Sequence, residues 1–347
     1  MKRRVWLVLL FVGLLLLLLT LGWGMAALRL SPSALIAVIT KNATFLKTAN
    51  NRVNITILGI GGGNHDGADL TDTIQIVSLD VVSGDVVLIS LPRDIWVPSF
   101  KDKINAAYHY GEEKQPGGGL IMAKSTVEEV VGIPIHYATL IDFAGFVHAV
   151  DALGGIDVDI PESFVDREYP IAGKENDECG GDITYACRYQ TVEFVQGKQT
   201  LSGERALQYV RSRHAEGDAG TDFSRGKRQQ LVLVAFKNKM LDSDTLKNIA
   251  LLKNLFALSN QSIVTDMTSG EALLAGRIFL QGSQKIRSIG LTQDLPEKNQ
   301  PGLLINPPTW GYDGRWVLIP KADDYSVVHD YIQCELAEKE CEQLLIN

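Results

Sequence analysis

The chain has 347 residues, a net charge of −8 at neutral pH and 46% hydrophobic residues. An acidic chain of this kind is poorly suited to a polyphosphate duplex, so no nucleic-acid partner is expected. Its four cysteines contain no Cys-x-x-Cys pair, which leaves a zinc ribbon or a thioredoxin-like centre without support.

Val5 to Leu28 contains no charged residue. At about 1.5 Å per residue such a helix is roughly 36 Å long, and a bilayer core needs about 20 residues. Residues 5–28 are therefore expected to form one transmembrane anchor. Lys2, Arg3 and Arg4 precede it and only Arg29 follows at once. That bias leaves residues 1–4 in the cytoplasm and the rest extracytoplasmic, in a single-pass protein of the cell membrane. Gly24-Met25-Ala26 offers a cleavage-like site, but the apolar run exceeds a usual signal-peptide core.

Residues 29–52 read as a stalk with a short amphipathic stretch at Ser33–Lys41. Residues 53–347 read as one folded domain. Asn54–Ile60 is an apolar strand that stops at Gly61-Gly62-Gly63. Thr73–Leu79 and Asp85–Leu91, joined by Ser83-Gly84, read as a hairpin. Lys124–Val131 reads as helix ending at Gly132, Tyr137–Ile141 as strand, and Phe143–Leu153 as helix stopped by Gly154-Gly155. Ile156–Ile160 alternates apolar and acidic residues, as a half-exposed strand does. Asp166–Gln190 is charge-rich and loop-like. Ser202 is the expected N-cap of a helix running towards Arg213, and Ser224–Met240 is a second helix. This alternation predicts an α/β layered domain with mixed strand directions. Residues 244–347 continue without a visible linker.

Cys179 and Cys187 lie in one polar loop and are able to pair there. Cys334 and Cys341 would be about 10 Å apart on an unbroken helix, so they pair only if the chain turns between them.

The chemistry concentrates on arginines. Arg211, Arg213, Arg225 and Arg228 fall within eighteen positions, and Arg93 lies far upstream after a strand. Guanidinium groups bind phosphate oxygens bidentately and stay charged. A convergent set in an acidic chain points to a pyrophosphate or another polyanion. Asp72 and Asp94 are either turn residues or, in a functional reading, Mg²⁺ ligands that share the ion with substrate phosphates. Asp222 is either a helix cap or a proton acceptor. The Gly61-Gly62-Gly63 run lacks a dinucleotide fingerprint. Residues 118–125 miss the second glycine of a P-loop.

Six segments resemble the LytR-CpsA-Psr family of cell-wall glycopolymer ligases. They are LTDTIQIVSLD from Leu70, VLISLPRDIWV from Val87, KINAAY from Lys103, IDFAGFVHAVDALGGIDVD from Ile141, LSGERALQYVRSR from Leu201 and DFSRGKRQQ from Asp222. They keep the family's order and cover roughly residues 54–240. The resemblance implies an α/β/α layered domain with a central mixed sheet and a long apolar pocket for a polyprenyl chain. The implied activity is a phosphotransferase, moving a glycopolymer from a polyprenyl-pyrophosphate carrier to a peptidoglycan sugar hydroxyl with Mg²⁺. Teichoic acid or capsule would be the kind of polymer attached. Arg93, Arg211, Arg213, Arg225 and Gln229 match the family's phosphate-contacting positions, and Asp72 matches its metal-associated aspartate. Arg93 is then expected to be catalytic, with Asp222 or Asp94 taking the acceptor proton. The pocket wall is expected from Phe143–Leu153 and Leu231–Phe236. One position departs from the pattern: Gly61 stands where the family usually has an acidic residue, so Asp66 or Asp69 is the substitute metal ligand. Two rival activities use the same residues: a polyprenyl-pyrophosphate phosphatase, and a non-catalytic, membrane-tethered polyprenyl-phosphate-binding regulator.

Overall fold

A computed structural model describes residues 31–62, 67–174, 176–220, 222–281, 286–295, 301–322 and 324–346. The expected anchor at residues 5–28 and Asp66 lie outside the described residues. No helix among the described residues is long and apolar enough to cross a membrane.

The centre is a six-stranded mixed sheet. Its first strands are β1 (Arg52–Ile60), β2 (Thr71–Asp80) and β3 (Val86–Leu91), each antiparallel to the next. The hairpin forms where the turn residues predict it. The Asp80 carboxylate accepts hydrogen bonds from the backbone N–H groups of Val82 (2.8 Å) and Ser83 (2.9 Å). Gly84 takes a φ of 77°, which suits a residue without a Cβ. Short strands β4 (Trp96–Val97) and β5 (Asp102–Lys103) follow, then strand β6 (Tyr137–Asp142), which joins β1 in parallel. Because β1, β3 and β6 run the same way, residues just past each of them gather at one end of the sheet: Gly61, Arg93 and Phe143. In open sheets of this kind that end is the usual place for a ligand.

Helix α1 (Pro32–Thr40) precedes the sheet and buries Ala34 and Ala37. Arg277 donates to the Val38 carbonyl, and the Lys47 N–H donates to the Tyr137 hydroxyl at 2.9 Å. The stretch expected as a stalk is therefore packed on the domain from residue 32 onward. Helices α2 (Ala107–Lys114) and α3 (Gly118–Val131) cover one sheet face. A Cβ on Gly111 would lie 2.5 Å from the Gly118 carbonyl oxygen, so the glycines of the P-loop look-alike serve close helix packing. Gly132, with φ 67°, ends α3.

Helix α4 (Phe143–Ala152) is capped by Asp142, which accepts from the Gly145 N–H at 2.5 Å. A smaller lobe follows. Strand β7 (Ile156–Ile160) alternates buried and exposed residues as expected. It pairs with β10 (Gly197–Leu201), while β8 (Phe164–Pro170) pairs with β9 (Tyr189–Phe194). The segment read as a loop at Asp166–Gln190 is thus the tip of a β-hairpin, closed by the Cys179–Cys187 disulfide. Ser202 caps α5 (Gly203–Arg211) through the Arg205 N–H at 3.4 Å. Helix α6 (Asp222–Leu241) bridges the lobe core and the second face of the main sheet.

Residues 244–347 complete the sheet. After α7 (Ser243–Lys247) and α8 (Ile249–Ser262), β11 (Ile263–Thr265) pairs antiparallel with β6 at one edge. After α9 (Ser269–Gln281), β12 (Ile286–Gly290) pairs in parallel with β3 at the other. The order is β11-β6-β1-β2-β3-β12, a mixed sheet between helical layers. Strands β13 (Leu304–Ile305) and β14 (Ile319–Pro320) form a short ribbon, and α10 (Ser326–Leu336) packs on the α3 side. The chain turns after α10 at Glu338 (φ 54°), and the Cys334–Cys341 disulfide spans that turn with a Cα separation of 5.9 Å.

Candidate functional site

A cavity of about 1080 Å³ lies between the ligand end of the main sheet and the smaller lobe. That is just above the roughly 300–1,000 Å³ usual for ligand clefts. Arg93, Arg211, Arg213, Arg225, Gln229 and Asp72 all line it. These six come from β2, the turn after β3, the end of α5, the loop beyond it, and α6, so the fold brings together positions 157 residues apart.

Arg93 follows β3 and faces back across the sheet to Asp72 at the start of β2. Its Nη1 donates to Asp72 Oδ1, and its Nε lies 3.6 Å from Asp94 Oδ2. Burial acts to lower the Arg93 pKa, but Asp72 and then Asp94 outweigh it, and the guanidinium is held above its ordinary range. Asp94 is only 13% exposed and also binds Lys103 Nζ at 2.7 Å. It is not part of the cavity lining. Its place is behind Arg93, which it orients with Lys103, so it is badly placed to take a proton from an incoming hydroxyl. The KINAAY segment supports the same turn: the Asn105 N–H donates to the Arg93 carbonyl at 3.3 Å.

Gln229 accepts from Gln75 Nε2 (3.2 Å) and Ser90 Oγ (3.1 Å) through its Oε1, which fixes it against β2 and β3. The Arg211 guanidinium sits 4.2 Å from the Phe143 ring centroid and 5.9 Å from that of Tyr169. Burial raises the Tyr169 pKa, with Arg211 acting against it.

Arg228 behaves differently from its neighbour Arg225. It is 4% exposed and donates to three carbonyls: Tyr209 (Nε, 2.9 Å), Ala219 (Nη1, 2.7 Å) and Ser212 (Nη2, 2.5 Å). Burial pulls its pKa down to about 10. Arg228 thus ties α6 to the loop that carries Arg213 and is no ligand group.

Asp166 gave no signal in the sequence. It is 1% exposed and lies in the cavity wall. Its Oδ2 accepts from the N–H groups of Arg213 (3.1 Å) and His214 (3.3 Å), and its Oδ1 from that of Glu168 (3.0 Å). The loop bearing Arg213 is therefore fixed from below by one carboxylate and from the side by Arg228. His214 and Glu168, also lining the cavity, face each other at 3.7 Å.

The apolar part of the wall includes Phe143, Ala144 and Val147 of α4, as expected, with Leu207 and Val210 of α5. The expectation for Leu231–Phe236 does not hold. Val232 and Ala235 are buried in the lobe core, while Leu233 and Val234 pack towards the main sheet. An all-round apolar helix segment between two cores has no face left for a cavity.

For a divalent cation, Asp72 supplies one carboxylate at the cavity wall, and Gly61 beside it supplies none. That donor set fits Mg²⁺ only when phosphate oxygens complete the shell, which is how this ion is usually held. Asp69 is bound by His109 Nδ1 at 2.7 Å and is not in the cavity lining. The Asp222 side chain lies outside the described residues.

The LytR_cpsA_psr family profile matches residues 32–310. The chain is 29% identical over 229 residues to the polyisoprenyl-teichoic acid–peptidoglycan teichoic acid transferase TagV of Bacillus subtilis, covering 64% of this chain and 51% of that protein. It thus spans about half the length of that curated relative. The crystal structure of B. subtilis TagV superposes with a TM-score of 0.55 at 24% identity, covering 84% of this chain and all of that one. A structure described as TagT bound to LI-WTA superposes with a TM-score of 0.52 at 22% identity, over 83% and 92% of the two chains. The chain belongs to the LytR-CpsA-Psr family.

Proposed function

We propose that this protein transfers a glycopolymer from a polyprenyl-pyrophosphate carrier to a sugar hydroxyl of peptidoglycan, at the outer face of the membrane to which its N-terminus anchors it. The observation that carries this reading is one cavity with two chemistries. Four arginines and Gln229 converge beside Asp72, and an apolar wall of Phe143, Val147, Leu207 and Val210 adjoins them. A lipid pyrophosphate has the same two parts. The transferase names of the relatives support the reaction. Two disulfides support an oxidising, extracytoplasmic location.

In this reading the acceptor oxygen attacks the phosphorus that bears the glycan. A new P–O bond forms, the bridging P–O–P bond breaks, and polyprenyl phosphate departs with the bonding pair. Arg93, Arg211, Arg213 and Arg225 neutralise the charge that grows on the transferred and leaving phosphates. They act as preorganised donors rather than as covalent partners. Magnesium, held by Asp72 and phosphate oxygens, would add further charge neutralisation. The acceptor proton goes to His214, an imidazole at the cavity wall with the Glu168 carboxylate 3.7 Å away.

The test is product analysis. The full chain in detergent is given a lipid-pyrophosphate glycan, with and without peptidoglycan, in Mg²⁺ and in EDTA. A phosphodiester-linked product that needs acceptor and Mg²⁺ supports the proposal. Release without acceptor favours a phosphatase, and absence of turnover favours a binding protein. His214→Gln should slow transfer about 10²-fold or more. An unchanged rate would return the proton to another group.

A further inference from the structure

We propose that the loop at residues 306–316 is a binding platform for an uncharged glycan chain, the acceptor strand in the reading above, on which this inference rests. The loop reads NPPTWGYDGRW and exposes two indoles: Trp310 at 86% and Trp316 at 47%. Large aromatic rings are costly to leave in water, and a pair on one loop calls for a partner.

The loop is braced as a site would be. Tyr312 packs edge-on against Trp96, with centroids 5.1 Å apart and planes at 83°. Arg315 is bound by Asp102, which also accepts from the Tyr110 hydroxyl at 2.6 Å. Asn306 Nδ2 donates to the Val317 carbonyl at 2.7 Å. These contacts fix the loop without covering either exposed indole, so binding costs little ordering.

Topology places the platform at the same sheet end as the cavity. Strand β12 runs parallel to β3, so the chain beyond it emerges at the same sheet end as Arg93. Leu318 then bridges Ile95. The Trp96 N–H donates to the Leu318 carbonyl at 2.8 Å, and the Leu318 N–H to the Asp94 carbonyl at 2.9 Å. With two residues of chain on each side of that bridge, Trp316 lies at most roughly 20 Å from Arg93.

The chemistry selects the occupant. Sugar rings offer C–H faces to indoles and hydroxyls to the flanking Asp313 and the Asn306 amide. The loop's one cation, Arg315, is already bound by Asp102, which disfavours a polyanionic polymer. The indoles are interrupted by Asp313 and Arg315, where a bilayer would want a continuous apolar patch.

The experiment uses the full chain in lipid nanodiscs, without lipid-linked donor. Tryptophan fluorescence titrations employ three probes: chitohexaose, a phosphate-rich glycan polymer, and vesicles of anionic phospholipid. Chitohexaose should bind, and Trp310→Ala and Trp316→Ala should each weaken it about tenfold. Trp310 is so exposed that its replacement leaves the fold intact, and an unchanged melting curve checks this. Wild-type protein that ignores chitohexaose, or both variants binding it as wild type does, overturns the platform. Tighter binding to the polyanion or to vesicles overturns it too. None of these outcomes touches the transfer reaction, which stands or falls on product formation with donor present.

Discussion

The Arg93 guanidinium is held against the Asp72 carboxylate across the β2–β3 pair, one from just beyond β3 and the other from the start of β2. The pair faces the cavity, while Asp94 and Lys103 brace it from behind. Arg93→Ala should lower transfer by about 10²–10³-fold, the loss usual when one preorganised donor is removed. Arg93→Lys should recover little, because a point charge cannot reproduce the fork. Both variants should melt near the wild type, since the side chain is partly exposed; a large fall in melting temperature would mean that the pair is structural.

Magnesium dependence should follow Asp72 and not Asp69. Asp72→Asn is expected to raise the Mg²⁺ concentration for half-maximal transfer by about tenfold or more, since one of very few protein donors is weakened. Asp69→Asn should leave it unchanged, because that carboxylate does not line the cavity. Titration of the rate with Mg²⁺ in both variants decides the matter.

Asp166 and Arg228 should behave as supports of the Arg213 loop. Asp166→Ala strands three backbone N–H groups at a buried position, at about 1–3 kcal/mol. Arg228→Met leaves three carbonyls without their donor, with a comparable or larger loss. Urea unfolding should show both losses. Transfer should fall with them, and phosphate-lipid affinity should fall before kcat if the loop is loosened.

The Asp69–His109 pair gives a pH dependence of stability. Hydrogen bonding to Asp69 raises the His109 pKa above its usual value near 6.5. The folded state thus holds the proton more tightly than the unfolded one. The resulting stabilisation is complete below about pH 6.5 and is lost as pH rises through the higher folded value. His109→Gln should therefore melt below wild type at about pH 5.5, with the gap closing by about pH 8.5. Both groups are partly exposed, so the gap should be small.

The strands β1 to β3 and β6, helices α4 to α6 and the Ser202 cap were legible because each carries a local signal: β-branched runs, a Ser83-Gly84 turn, a glycine stop or a capping hydroxyl. The arginine cluster was legible as a set but not member by member. Arg225 and Arg228 point only about 60° apart on α6. Which of them meets the cavity depends on the loop at 212–219, and that is a tertiary fact. Asp166 was invisible for a related reason. In a charge-rich stretch one more aspartate carries no mark, although its backbone contacts set the site. Strands β11 and β12 escaped notice because they are three and five residues long and lack alternation.

Those two late strands have a consequence for how the molecule comes into being. Both edges of the sheet are supplied by residues beyond 260, so β6 and β3 stay bare while three quarters of the chain already exists. Bare edges invite pairing with other chains. A chain stopped before residue 263 should therefore aggregate rather than form a smaller domain. During synthesis the same arrangement leaves the sheet incomplete until residue 290 is available. An incomplete chain would then have no closed sheet on which to hold its site.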